Sequence, residues 1–180
     1  MDLYKLGVKA FAAHPAPVPA AEFIPVFQSW IQQQSLPGHL LLDVHDYSHV
    51  HHGPGILLVA HEGNFSLDSE DGRLSLFYYR KQPVAGDLAA QLRATIQTAR
   101  TAAGRLAGDG RLPGLKFGET EFRVITNDRL LAPNDAATAA RLVPLVVETF
   151  RHEFPGRPVT ATPDAPDPRE RFALRVQVGP

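Results

Sequence analysis

The chain has 180 residues, 44% of them apolar, with 18 Lys and Arg against 19 Asp and Glu. That length suits one domain with a sizeable core. The balanced charge, with no basic run longer than Arg80-Lys81, excludes the electrostatic footprint of a nucleic-acid binder or a polybasic membrane surface. Cysteine is absent, which excludes disulfides, thiolate metal sites and cysteine nucleophiles.

The opening "MDLYKLGVKAFAAHPAPVPA" carries Asp2 early and Lys9 inside its apolar stretch, unlike a signal peptide. No apolar run approaches the roughly 18–20 residues of a membrane helix. A soluble, cytoplasmic protein is the expectation. Within that segment, residues 3–11 alternate loosely and predict a strand. "HPAPVP" is a connector, because three prolines in six residues prevent regular pairing.

Residues 22–34, "EFIPVFQSWIQQQ", set Phe23, Val26, Phe27, Trp30 and Ile31 at helical spacing, and Pro37-Gly38 stops the helix. Strands follow at 39–44 and 55–62. The second is apolar on both faces, which predicts a central strand covered on both sides. "NFSLD" and "RLSLFYYRK" flank the turn Ser69-Glu70-Asp71-Gly72 and predict a hairpin. Tyr78 and Tyr79 within it point to opposite faces, one to the core and the other to solvent or an interface.

Residues 87–106 predict a helix with Leu88, Leu92, Ile96, Ala99, Ala103 and Leu106 on one face. Residues 119–127 predict a strand. A helix begins at Asn134 as N-cap, with Ala139, Val143, Val146, Val147 and Phe150 as its apolar stripe. "RPVTA" and "RFALRVQV" predict the last strands, separated by "TPDAPDP". Both "EFIPVFQSWI" and "RLVPLVVETF" place a proline inside an amphipathic helix that follows one strand and precedes a short one. The halves 3–44 and 119–178 therefore suggest a worn β-α-β duplication around an inserted 45–118, against the simpler reading that two amphipathic helices look alike by chance. Pro25 and Pro144 each lack a donor, so each should kink its helix or mark its first turn.

Function concentrates in "DVHDYSHVHHGPG", residues 43–55, which hold four of the eight histidines and two aspartates. Asp43, His45, Asp46, His49, His51 and His52, with His61 and Glu62 downstream, are the residue types that bind zinc, nickel or ferrous iron. They also suit proton transfer near neutral pH. A third reading is a solvated loop whose Asp and Ser hold backbone turns. No standard zinc pattern fits, since His61-Glu62 lacks the second histidine of H-E-x-x-H. Strand direction decides whether the candidates meet. If 39–44 and 55–62 pair antiparallel, His61 lies about 20 Å along the second strand from the loop. A parallel pair, a folded-back loop or a second subunit could reunite them. Arg129, in the strand-to-helix connection "NDRLLAPND", is a further candidate for an anionic group.

With "HLLLDVHDYSHVHHGPGILLVAHEGNFSLD" in view, the chain resembles a family of uncharacterised bacterial proteins of similar length. The likeness centres on "DYSHV", "GPG" and "HE", and more weakly on "PVFQSWIQ" and "NDRLLAPN". It implies a free-standing bacterial protein and favours Asp46, His49, His61 and Glu62 over His51 and His52. It carries no activity with it.

These readings predict a single α+β (mixed α/β) domain over 1–180, with a mainly antiparallel central sheet of six to eight strands and three helices. The expected function is binding of a small molecule or divalent metal. His49 and His61 would be ligands, Asp46 would orient an imidazole, and Glu62 would be a ligand or base. The alternative is a non-catalytic homodimeric binding or assembly protein, with a structural loop and a dimer face of Trp30, Phe27 or Tyr79.

Overall fold

In chain order, the computed structural model, which describes residues 3–14 and 18–180, alternates strands with three long helices. Pro15 and Pro17 of the predicted connector lie outside the described residues. Strand β1 spans Leu6–Ala12. A 3-10 turn over Ala20–Glu22 leads into helix α1, Phe23–Gln33. Strands β2 (Leu41–Tyr47), β3 (Gly55–Ala60), β4 (Gly63–Asp68) and β5 (Ser75–Arg80) follow as a meander. Helix α2 covers Leu88–Ala107, β6 Phe117–Thr126, α3 Ala136–Glu153, β7 Val159–Pro163 and β8 Ala173–Val178.

All eight strands join one sheet in the order β2-β3-β4-β5-β1-β6-β8-β7, and every neighbouring pair is antiparallel. The expected α+β fold with an antiparallel sheet and three helices is therefore present. Counting alternations across the sheet, α1 links β1 to a parallel β2 beyond three intervening strands. In the same way α3 links β6 to a parallel β7 beyond β8. In each half the later strands fill the gap that the helix crossed.

Alternation along the strands sorts the sheet into two faces. Val8, Ala10, Phe65, Leu76, Tyr78, Phe122, Val124 and Leu174 join Phe27, Trp30, Leu92, Ile96, Val146 and Phe150 of the helices in one continuous core. All three helices thus cover one face, with α2 over β1 and β5, α1 over β2, and α3 over β7. Full burial of each large apolar side chain there contributes about 1.5–3 kcal/mol.

Among the described residues, no helix covers the opposite face. A small cluster of Phe77, Ile125 and Ala173 lies there, beside a lattice of charges. Lys9 pairs with Asp68, Glu70 and Asp71. Arg123 bridges Asp71 to Asp164, Arg175 joins Asp164 to Glu121, and Arg73 reaches Glu121.

Several expectations change. Strand β3 is not covered on both sides: only alternate residues are buried, because β2 lies outside it and one face is open. The strands buried almost throughout are β1, β4 and β5. Trp30 and Phe27 are buried under α1 and cannot form a dimer face, while Tyr79 is half-buried on the open face. The N-cap of α3 is Asp135, whose carboxylate accepts from Thr138 N at 2.7 Å; Asn134 instead donates to the carbonyls of Ala165 and Asp167. Pro25 falls in the first turn of α1, whereas Pro144 lies inside α3.

Candidate functional site

Residues 48–54 form the turn between β2 and β3. Val50 N donates to Tyr47 O and Gly53 N to Val50 O, so the turn is two successive tight bends. Gly55 closes it at φ +63°, where an added Cβ would lie only 2.0 Å from Leu67 O; glycine alone fits. Asp46 has a turn-holding role, because its Oδ1 accepts from Ser48 N at 2.8 Å and Ser48 Oγ at 2.6 Å. Those hydrogen bonds, Ser48's hydroxyl first, hold its carboxyl below the usual range, with His49 adding a small pull. Asp43 Oδ2 lies 3.4 Å from His45 Nε2, both exposed. The rings of His51 and His52 sit 4.0 Å apart, and His52 Nδ1 is 3.9 Å from Glu70 Oε1.

His61 and Glu62 are elsewhere. Leu41 pairs with Ala60 and Tyr47 with Gly55, so β3 carries the chain away from the turn and His61 follows at its far end. His61 N donates to Leu40 O, and Glu62 Oε2 accepts from Leu40 N at 2.8 Å. Burial alone would raise the Glu62 carboxyl. Backbone donors from Leu40 and Glu62 itself, with His39 and His61 nearby, outweigh burial and hold it low. Within one chain, Asp46 and His49 therefore lie at one end of the β2–β3 pair and His61 and Glu62 at the other. Among the described residues, no group of three or more His, Asp and Glu side chains converges as a metal site would require. The predicted four-residue set does not fit a metal within the single chain.

The open sheet face brings other residues together. A basin of about 540 Å³ lies there. Its floor holds Lys9, Ser66, Asp68 and Phe77, all buried. Lys9 Nζ is 2.8 Å from Asp71 Oδ2 and 3.1 Å from Asp68 Oδ1, with only 2% of its surface exposed. Burial would raise the Asp71 carboxyl, but Lys9's hydrogen bond and charge, then Arg123 and Arg175, hold it below its usual value. Tyr79, Ile125 and Ala173 supply an apolar wall. At the rim stand Arg129, Arg171, Glu170 and His52. Among the described residues, neither Arg129 nor Arg171 forms an ion pair or side-chain hydrogen bond, unlike Lys9 and Arg123, which are both ion-paired.

A larger groove of about 950 Å³ runs past the turn and shares His52, Asp68 and Glu70 with the basin. His14, His49, His51 and Arg73 also line it. Of the sequence candidates, His52 and Arg129 reach the basin, His49 and His51 line only the groove, and Asp43, His45, Asp46, His61 and Glu62 line neither. The pattern reading missed Lys9, Asp68 and Arg171. Lys9 was visible as a charge in mid-strand in "LGVKAFA", the one signal that a buried ion pair awaited it.

Comparison with family models, with curated proteins and with solved structures gave no match.

Proposed function

We propose that this protein binds a small organic acid, a carboxylate or phosphate ester with an apolar body, in the basin on the open face of its sheet. The observation that carries the reading is the charge pattern there. Lys9 and Arg123 are neutralised by Asp68, Asp71 and Asp164, while two rim guanidiniums, Arg129 and Arg171, make no ion pair or side-chain hydrogen bond among the described residues and stand beside two exposed carboxylates, Glu70 and Glu170. Guanidinium is the side chain best suited to grip a planar or tetrahedral oxyanion. Phe77, Tyr79 and Ile125 would receive the apolar part, in keeping with small-molecule sites that combine apolar walls with a few placed charges. The cytoplasm is the compartment this reading assumes. Metal binding by Asp46, His49, His61 and Glu62 is not part of it, because the antiparallel β2–β3 pair separates them.

Calorimetric titration and thermal shift test the proposal, with inorganic phosphate, phenyl phosphate and phenylacetate as probes. Saturable binding by at least one is expected, with loss of at least tenfold in affinity in Arg129→Ala/Arg171→Ala. Stronger binding of phenyl phosphate than inorganic phosphate would support the apolar wall. No binding by any probe, or equal binding by the double variant, overturns the reading.

A further inference from the structure

We propose that β2 is a pairing edge for a second copy of this chain, joining two eight-stranded sheets into one through an antiparallel β2–β2 contact with its two-fold axis at His45. The sheet's two edges are unlike. β7 is five residues long and ends in Pro163, a residue that blocks ladder pairing. β2 is seven residues long, has no proline or lysine, and leaves all but its first residue at least partly exposed. Large apolar side chains are exposed along it and its flanks: Leu40 at 53%, Leu42 at 51%, Tyr47 at 38% and Val50 at 43%. Among the described residues, Leu130 is the one exposed large apolar side chain away from this edge. A row of that kind beside unpaired backbone marks an interaction surface.

The sequence of the edge selects the partner and the register. An isologous contact must make the strand complementary to itself. Centring the axis on Asp43 or Asp46 would oppose like carboxylates, which is destabilising. Centring it on Val44 would set the partner's Tyr47 against Leu41, whose N–H and carbonyl Gln34 already engages. Centring it on His45 avoids both: Asp43 faces the partner's Tyr47, and Val44 faces the partner's Asp46. The apolar Leu40–Leu42 end then lies beside the partner's Tyr47–Val50 end. Each His45, 3.4 Å from its own Asp43, meets the partner's His45 with carboxylates flanking the pair. Val44 N now donates to Asp43 Oδ1 at 2.8 Å, a side-chain substitute that a partner carbonyl can replace. Gln34 caps Leu41 on both its N–H and its carbonyl, which ends the pairing there. The same register carries His61 and Glu62, bonded to Leu40, towards the partner's His49 turn.

The chain has no cysteine, so single cysteines report the contact directly. Sedimentation should give a mass twice the 19.7 kDa of one chain, with concentration-dependent dissociation. His45→Cys should cross-link under mild oxidation at least tenfold faster than Leu130→Cys, since directly opposed strand residues meet disulfide geometry. Leu42→Lys, at an exposed position, should weaken the dimer at least tenfold with an unchanged circular dichroism spectrum. A monomer at millimolar concentration, or equal cross-linking at residues 45 and 130, overturns the proposal. So does a dimer unaffected by Leu42→Lys.

Discussion

Single residues decide how charge is tolerated here. Lys9 lies in the middle of a strand whose every residue is buried, and three carboxylates surround it. Lys9→Met would remove the only lysine amine in that cluster and leave buried Asp68 without a cation, while Asp71 keeps Arg123. Breaking one partner of a buried pair is worth about 3–5 kcal/mol, and urea unfolding of Lys9→Met should show a loss of that order. Adding Asp68→Asn should recover part of it. His39 makes a different case. Arg80 donates to Tyr78 Oη at 3.2 Å, so the Tyr78 hydroxyl turns its proton to His39 Nε2, 2.7 Å away. His39 Nδ1 then carries the hydrogen towards Pro37 O at 3.2 Å. Burial first, then Arg80, holds the His39 imidazole below 6.5, against the opposing pull of Pro37 O and Glu62, and burial pushes the Tyr78 phenol up to about 12. Because the unfolded chain takes up the proton more readily, the contribution of neutral His39 is complete above about pH 6.5. It is lost as pH falls through the lower folded value. The melting temperature should therefore drop as pH falls below about 6.5, and His39→Asn should flatten that slope; parallel slopes would refute the assignment.

Elements differ in how firmly they are held. β1, β4 and β5 are enclosed by strands on both sides, by helices on one face and by the charge lattice on the other. β7 has one neighbour and mostly exposed or half-exposed residues. Local opening follows that contrast. Hydrogen exchange should be slowest in Gly7–Phe11 and Leu76–Tyr79 and fastest in β7. In β2 it should slow as protein concentration rises, because only there would pairing with a second copy cover the ladder. Concentration-independent exchange in β2 would count against that contact. The helices were legible because their apolar stripes recur at helical spacing over ten residues or more, and α1, α2 and α3 lie within a few residues of the predicted spans. Cap assignment was less so: Asn134 and Asp135 are both good caps, and only the carbonyls of Ala165 and Asp167, brought close by the fold, draw Asn134 away.

At the scale of the molecule, a sheet with helices on one face has to finish its other face by different means. Here charges from β1, β6, β8 and the turn after β4 do so, and the basin opens among them. The histidine turn borders that basin through His52 but does not form its floor.

The sequence by itself determined which segments are helix and strand, the α+β class, and the absence of cysteine chemistry. Those follow from local periodicity and composition, which act over a few residues. Whether β3 was central, which of Tyr78 and Tyr79 entered the core, and whether His49 met His61 were decided only by tertiary structure. A strand's apolar pattern states that it is buried but not which strand lies beside it or in which direction that strand runs. Direction placed His61 at the far end from the turn, and strand order brought Lys9, Asp68 and Arg123 together from positions far apart along the chain.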